Sequence, residues 1–457
     1  MKRYLVFLFL CAAALYTLTW SGRYFHDGAL FAELFDQGHL LFYHTAYLPL
    51  AELLYRLLDL CGDPERETAL RVLSVLSAAG AVTVSAALVA RILGRNRAAL
   101  FAGAVFALAP PIWFGGVTVE IHVFSAFACS LAAWLAFSLR AGLFVGPPLA
   151  ILLAMSAHLT SGTLFAAYCL LGVLGEQQRG REPSPRRTLL ALLATLAVGL
   201  AYLAVIATWL RPGRELHIDL GLFLTAMGDS LASVPFMARR LVSESLAPWG
   251  ALVVLAFACP LLAAREQRGR TLCFVAALLP PLLFVQLSLF LEGQYWLPAT
   301  FLLLLGFTAA LPRRVSMPGL AAMLLLLTAQ LGWSFVKERE LRVDPDREWA
   351  LELAAAVERP ATVATADLGR TRWTKKLVTK EVFDLGHFAG QEPAEAAAFI
   401  VSKASELAAR GRHVYFDRRV LFSEEQIYGA ALAKALRARL GVFTLPAELP
   451  AWRLPER

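Results

Sequence analysis

Residues 68–97 read TALRVLSVLSAAGAVTVSAALVARILGRNR, an apolar run that ends in Arg91, Arg95 and Arg97. At about 1.5 Å per helical residue, roughly 20 such residues cross about 30 Å of hydrocarbon. Arginines placed directly behind a run of this kind orient it in a bilayer. The pattern recurs near residues 4–20, 98–117, 121–139, 143–158, 160–175, 188–210, 247–264, 271–291, 295–311 and 316–336. The hydropathy rule reads this as an all-α polytopic membrane bundle of about 11 transmembrane helices.

Composition agrees. Hydrophobic residues are 58% of the 457, charged residues only 17%, and mean hydropathy is +0.59, outside the range of soluble domains. The net charge of +8 does not point to nucleic acid, because the arginines sit in short loops between apolar runs. Five of the six cysteines lie within those runs and only Cys61 lies in a polar loop; neither a disulfide framework nor zinc-ligand spacing appears. Lys2 and Arg3 precede an apolar core as in a signal peptide, but Trp20-Ser-Gly-Arg23 lacks the small-x-small cleavage pattern, so the segment stays as the first helix.

With the N-terminus cytoplasmic, Arg91/Arg95/Arg97, Arg140, Arg179/Arg181/Arg186/Arg187, Arg265/Arg268/Arg270 and Arg313/Arg314 share one face. The short loops of the other face, 117–120, 157–162 and 292–296, contain no Lys or Arg, as the positive-inside rule requires. Thr45–Leu60 is apolar but carries Glu52, Arg56 and Asp59 on one helical face, so it reads as a helix lying at the outer interface. Proline pairs at 110–111, 147–148 and 280–281 predict kinks or broken helices. Neither inverted nor tandem repeats appear, which weighs against a transporter.

From Lys337 the chain turns charged and amphipathic. Thr362–Ala366 and His413–Asp417 read as strands, Pro393–Arg410 as a helix closed by Gly411, and Ser423 with Gln426 as the capping box of another that ends before Gly441. The expected organisation is a membrane domain over 1–336, with its first outer loop at 21–67, and a small α/β extracytoplasmic domain over 337–457.

Titratable residues outside this tail collect on the face whose short loops lack Lys and Arg. His26, Asp27, Glu33, Asp36, His39 and His44 lie in the first loop, Glu120 and His122 in the second, His158 in the third, and Gln294 and Tyr295 follow Glu292 in the fifth. A carboxylate beside an imidazole at a membrane boundary takes a proton, holds a phosphate or ligates a metal. Gly28 and the aromatics Tyr24, Phe25 and Phe31 suggest a tight turn that partly desolvates Asp27. Glu120 opens an apolar span, so its bland role is to meet a helix dipole. His122, two residues on, would face away from Glu120 if both were helical. His158 alone reads as a hydrogen-bonded boundary histidine.

In order and side these residues resemble the GT-C glycosyltransferases, especially bacterial relatives of protein O-mannosyltransferases. The motifs are Phe25-His-Asp27-Gly, His44-Thr-Ala-Tyr-Leu-Pro-Leu50, Ala109-Pro-Pro-Ile-Trp113, Val119-Glu120-Ile-His122, His158-Leu-Thr160 and Tyr295-Trp-Leu-Pro-Ala299, covering residues 1–310. The resemblance implies an inverting enzyme of the bacterial cytoplasmic membrane. It would move a sugar from a polyprenyl-phosphate-linked donor to a protein, lipid or glycan acceptor at the outer face. By that likeness Asp27 is the base or a ligand of Mg or Mn, Glu120 shares that role and lines the cavity with His158, and Tyr295 meets the donor phosphate. Gln294 stands where many relatives carry Arg, so Arg211, Arg214 or Arg239 would supply the cation. A second acid beside Asp27 is replaced by Gly28, Ala29 and Leu30, with Glu33 next. The alternatives are a transporter or lipid-linked-sugar flippase, which needs polar groups at the bilayer midplane, and a non-catalytic envelope scaffold.

Overall fold

The computed structural model describes residues 1–21, 28–38, 45–62, 64–209, 251–262, 268–287, 293–311, 344–365, 368–385, 392–422, 430–442 and 451–454, and the single positions 241, 249 and 329. The chain divides into two compact units, Met1–Ser21 with Leu34–Arg339, and Gly22–Glu33 with Glu340–Arg457. The short segment Gly22–Glu33, which sequence reasoning puts in the membrane domain, thus groups with the C-terminal unit.

The first unit is helical. Its helices are α1 (Lys2–Leu18), the end of α2 (Gly28–Asp36), α3 (Tyr47–Asp59), α4 (Arg66–Leu93), α5 (Asn96–Ala107), α6 (Pro110–Val117), α7 (Ile121–Ser138), α8 (Gly146–Ala157), α9 (Phe165–Gln178), α10 (Pro185–Trp209), α11 (Ala251–Leu262), α12 (Arg268–Leu287) and α13 (Thr300–Ala310). Among the described residues, four helices are long and apolar enough to cross a membrane: Arg66–Leu93, Ile121–Ser138, Leu159–Gln178 and Pro185–Ile206. Helices α5 and α6, bent by 60° at their junction, make a fifth as a pair. Several other predicted runs fall on apolar helices of 10–17 residues, and the run at 316–336 lies outside the described residues.

Prolines explain part of that shortening. Pro110 and Pro111 occupy the first turn of α6, and Pro147 and Pro148 that of α8, positions where the missing N–H is not needed. They begin helices there, and the 60° bend between α5 and α6 directly before Pro110 is the broken helix that this proline pair predicts. Pro280 and Pro281 do lie inside α12.

Lipid offers no hydrophobic drive between helices, so close packing rests on small residues. Helix α4 shows this: Ser77, Ala78, Ala79 and Ala81 are buried, and a Cβ on Gly80 would stand 2.6 Å from the Phe127 ring of α7. Ser85 and Ser130 hydrogen bond across the same pair at 2.8 Å.

Two ends of the unit can be told apart. At one, the Ser21 N–H donates to the Val117 carbonyl (2.9 Å), the Ala46 N–H to Ser156 (2.9 Å), and the Thr45 and Tyr202 hydroxyls meet at 2.8 Å. At the other, Arg95 donates to the carbonyls of Thr308 and Leu311, each at 2.9 Å, Gln178 to that of Arg91 at 3.1 Å, and Arg179 to that of Phe137 at 3.3 Å. The short-loop arginines Arg95 and Arg179 thus lie at the second end, while Arg71 donates to the Ser21 carbonyl at the first and Arg56 and Arg66 pair with Glu52. Helix α3 buries Tyr47, Leu48 and Ala51, while Leu50, Leu53, Leu57 and Leu60 form an exposed stripe, the pattern of a helix that rests on a bilayer surface.

The second unit holds a four-stranded sheet of order β2-β1-β3-β4, with β1 (Ala361–Thr365), β2 (Val382–Asp384), β3 (His413–Asp417) and β4 (Ala451–Arg453). β1 pairs parallel with β2 and β3, and β4 runs antiparallel to β3. Its helices are α14 (Pro345–Ala356), α15 (Leu368–Leu377), α16 (Pro393–Ala409), α17 (Arg418–Phe422) and α18 (Ala430–Leu440). Ala364, Val414 and Phe416 of the sheet pack with Ala397, Ile400 and Leu436 of the helices. Gly411 and Gly441 follow α16 and α18 at φ 79° and 69°, the left-handed turn that glycine closes a helix with. The proposed box of Ser423 and Gln426 lies outside the described residues.

Candidate active site

The end of the first unit that holds Ser21, Ala46 and Val117 brings Glu120, His122 and His158 together. Glu120 is the N-cap of α7, in extended backbone at φ −147° and ψ 122°. Its Oε1 accepts the His122 N–H at 3.1 Å and lies 2.7 Å from His122 Nδ1. This corrects the expectation that the two face apart: Glu120 precedes the helix, so its side chain folds back over the first turn. An ionised carboxyl oxygen only accepts, which places a proton on Nδ1 of His122. The Glu120 N–H donates in turn to Ser74 Oγ of α4 at 3.2 Å, and a Cβ on Gly115 would stand 3.0 Å from the Val123 Cβ.

His158 follows α8 in extended backbone and opens the 3-10 turn Leu159–Leu164. Its Nδ1 accepts the Thr160 N–H at 3.3 Å and lies 2.6 Å from the Thr160 hydroxyl. An accepting Nδ1 leaves the ring proton on Nε2. The His122 and His158 rings meet at 4.7 Å between centroids, tilted by 39°. Glu120, His122 and His158 are 2%, 1% and 6% exposed.

Tyr47 of α3 completes the surroundings, its ring 5.5 Å from that of Phe124. Burial pushes its phenol up, with the Glu120 charge adding to the shift and Ser74 opposing it, so Tyr47 keeps its proton. Tyr47 stood within the His44–Leu50 motif without a role of its own, and Ser74 escaped sequence reasoning; a polar residue within the α4 run was the available signal for it.

Glu120 Oε2 is buried, and no hydrogen-bond donor among the described residues reaches it. A buried polar atom left so costs about 1–3 kcal/mol, more if charged, and in a native fold calls for water or a ligand.

Other sequence candidates fall elsewhere. His26, Asp27, His39, His44, Arg211, Arg214 and Arg239 lie outside the described residues. Gln294 and Tyr295 fall in the 3-10 turn Gly293–Ala299, which packs on α7 and on the turn after His158; their side chains are outside the described set. Glu33 belongs to the second unit, where its carboxylate meets Lys375 and Arg372. No group of three or more His, Cys, Asp or Glu among the described residues is arranged to hold a metal ion, and Oε1 of Glu120 is taken by His122. Asp27, the other candidate metal ligand, lies outside the described residues. A cavity of about 580 Å³, lined by Leu174, Gln177, Glu182 and Cys273 among others, opens between α9 and α12 near the end where Arg179 lies.

No model of a known protein family and no curated protein matches the chain. Solved structures do. ArnT from Cupriavidus metallidurans bound to undecaprenyl phosphate superposes with a TM-score of 0.55 at 14% identity, over 93% of this chain and 95% of ArnT. The Archaeoglobus fulgidus oligosaccharyltransferase in complex with Zn and sulfate gives 0.50 at 11%, over 94% and 70%. A mutant of the arabinofuranosyltransferase AftD from Mycobacteria gives 0.50 at 16%, over 96% of this chain and 38% of AftD. Likeness at such identities shows a shared fold.

Proposed function

We propose that this chain, which has the fold of the GT-C glycosyltransferases, transfers a sugar from a polyprenyl-phosphate-linked donor to a protein, lipid or glycan acceptor at the outer face of the cytoplasmic membrane. The observation that carries the reading is the buried Glu120 carboxylate, one oxygen oriented by His122 and the other reached by no donor among the described residues, in a fold shared almost end to end with a protein crystallised on undecaprenyl phosphate. The eleven apolar runs, N-terminus inside, give an odd number of crossings and put residues after 336 outside.

The chemistry follows from the groups. The acceptor oxygen attacks the anomeric carbon, its proton passes to Asp27, and the bond from that carbon to the phosphate oxygen breaks with inversion. The lipid phosphate leaves carrying the electron pair. Glu120 Oε2 accepts a hydroxyl of the sugar or acceptor, and the Nε2–H of His158 donates to a substrate oxygen. Arg211, Arg214 or Arg239, with Gln294 and Tyr295, meets the phosphate. His26 flanks the base. Asp27 and Glu120 would be the ligands of any divalent ion, and no step above passes through one.

The test is the purified protein in liposomes with undecaprenyl-phosphate-linked hexoses and pentoses and an envelope extract as acceptor. Release of undecaprenyl phosphate with sugar appearing in acceptor supports the reading. Movement of intact donor across the bilayer without product supports a flippase.

A further inference from the structure

The cavity of about 580 Å³ between α9 and α12 takes no part in the transfer reaction. Helix α9 begins directly after the turn that His158 opens and runs 14 residues to Gln178. At about 1.5 Å per residue its far end, where the cavity opens, stands roughly 20 Å from its start. The cavity is therefore separate from the Glu120, His122 and His158 cluster.

Its lining is graded. The walls are apolar where they are covered, with Leu174 and Phe274 buried and Leu170 and Val173 half-buried. They turn polar or small where they are exposed, at Gln177, Gly180, Gly269 and Cys273. A cavity of this size with apolar walls and a wet edge suits an amphiphile, its chain on the walls and its head group at the edge.

Charge selects the head group. Gly180 stands between Arg179 and Arg181, and Gly269 between Arg268 and Arg270, so two Arg-Gly-Arg tripeptides from distant parts of the sequence meet one cavity through their glycines. The first is fixed by the closure of α9: Gly180 has φ 74°, its N–H donates to the Gln177 carbonyl at 3.0 Å, and the Arg181 N–H donates to that of Glu176 at 3.0 Å. Glu176 is shared between Arg179 at 2.9 Å and Arg181 at 3.5 Å, so one carboxylate serves two cations, and Arg181 stays 65% exposed. Glu182 brings a carboxylate to the lining. Even so, residues 176–187 and 268–270 together carry six arginines against two glutamates. Basic clefts between membrane helices hold the head groups of anionic lipids.

We propose that this cleft is a binding site for an anionic glycerophospholipid, its acyl chain lying on Leu170, Val173, Leu174 and Phe274 and its phosphodiester at the two Arg-Gly-Arg tripeptides. A free phosphate would use the charge and leave the apolar walls in water.

Native mass spectrometry of the full-length protein in detergent, titrated with phosphatidylglycerol or phosphatidylcholine, tests it. Phosphatidylglycerol is expected to stay bound where phosphatidylcholine is lost. Each arginine near an anionic head group adds about fivefold in affinity, so Arg268→Ser/Arg270→Ser is expected to weaken retention by at least about tenfold. Glu182→Gln, which removes the opposing charge, is expected to strengthen it. Equal retention of the two lipids would overturn the proposal, as would weaker retention in Glu182→Gln. Preferential uptake of undecaprenyl phosphate over phosphatidylglycerol would overturn it in favour of a second donor-lipid site, and displacement by inorganic phosphate in favour of a simple anion site. A further measurement leaves the cleft intact. In a Cys11→Ser/Cys61→Ser variant, whose remaining exposed cysteine is Cys273, phosphatidylglycerol is expected to slow alkylation by N-ethylmaleimide at least about threefold. Cys61 in a Cys11→Ser/Cys273→Ser variant should keep its rate. An unchanged rate at Cys273, or equal slowing at both cysteines, would overturn the proposal.

Discussion

Glu120 Oε1 lies 2.7 Å from Nδ1 of His122, both side chains buried, and this contact aims the other Glu120 oxygen at a position no described donor fills. Glu120→Gln keeps an acceptor for His122 and removes the charge. Turnover should fall by about a hundredfold, measured as undecaprenyl phosphate release. The melting temperature should change little, since the amide oxygen still accepts from His122 while a buried charge is removed.

His158 depends on Thr160 for its tautomer, because the Thr160 N–H and hydroxyl both face Nδ1. Thr160→Val leaves the backbone donor and deletes the hydroxyl. Steady-state kinetics should show a loss of about five- to tenfold, against a larger one for His158→Ala. Equal losses would separate Thr160 from the role given to it.

Asp417 is buried beneath Arg370, Thr365 and the Arg419 N–H. Burial raises its carboxyl above the ordinary 3.8, with Arg370 opposing. The folded state then holds this proton more tightly than the unfolded chain, so the group's stabilisation is full below 3.8 and is lost as pH rises through the folded value. Subtracting thermal melts of Asp417→Asn from wild type across that acid window should give a difference that declines with rising pH. A rising difference would contradict the assignment.

Sidedness is open to labelling. Cys61 is exposed just after α3, on the face assigned to the outside. In spheroplasts of a Cys11→Ser/Cys273→Ser variant, an impermeant maleimide should modify Cys61. A cysteine placed at Arg181, 65% exposed at the opposite end, should react only after lysis.

Much of this was legible in the sequence where the signal is physical and long. The run at 68–93 is a helix because lipid-length apolarity leaves the backbone no other solution, and the arginines behind it mark an end because charge is excluded from hydrocarbon. Glu120, His122 and His158 could be listed as facing one way. Their contact could not, since it turns on an extended residue at a helix start, which periodicity does not encode. Three-residue strands such as β2 and β4 are below the reach of pattern reading. The Glu33 pairing was hidden for a different reason: its partners are more than three hundred residues away in sequence, and composition carries no trace of that contact.

The most direct test of the account compares wild type with Asp27→Asn, each reconstituted in liposomes and supplied with an undecaprenyl-phosphate-linked sugar and acceptor. The account predicts sugar transfer by the wild type, and in the variant unchanged expression and melting with transfer lost by at least about a hundredfold. Transfer by Asp27→Asn at the wild-type rate would contradict it.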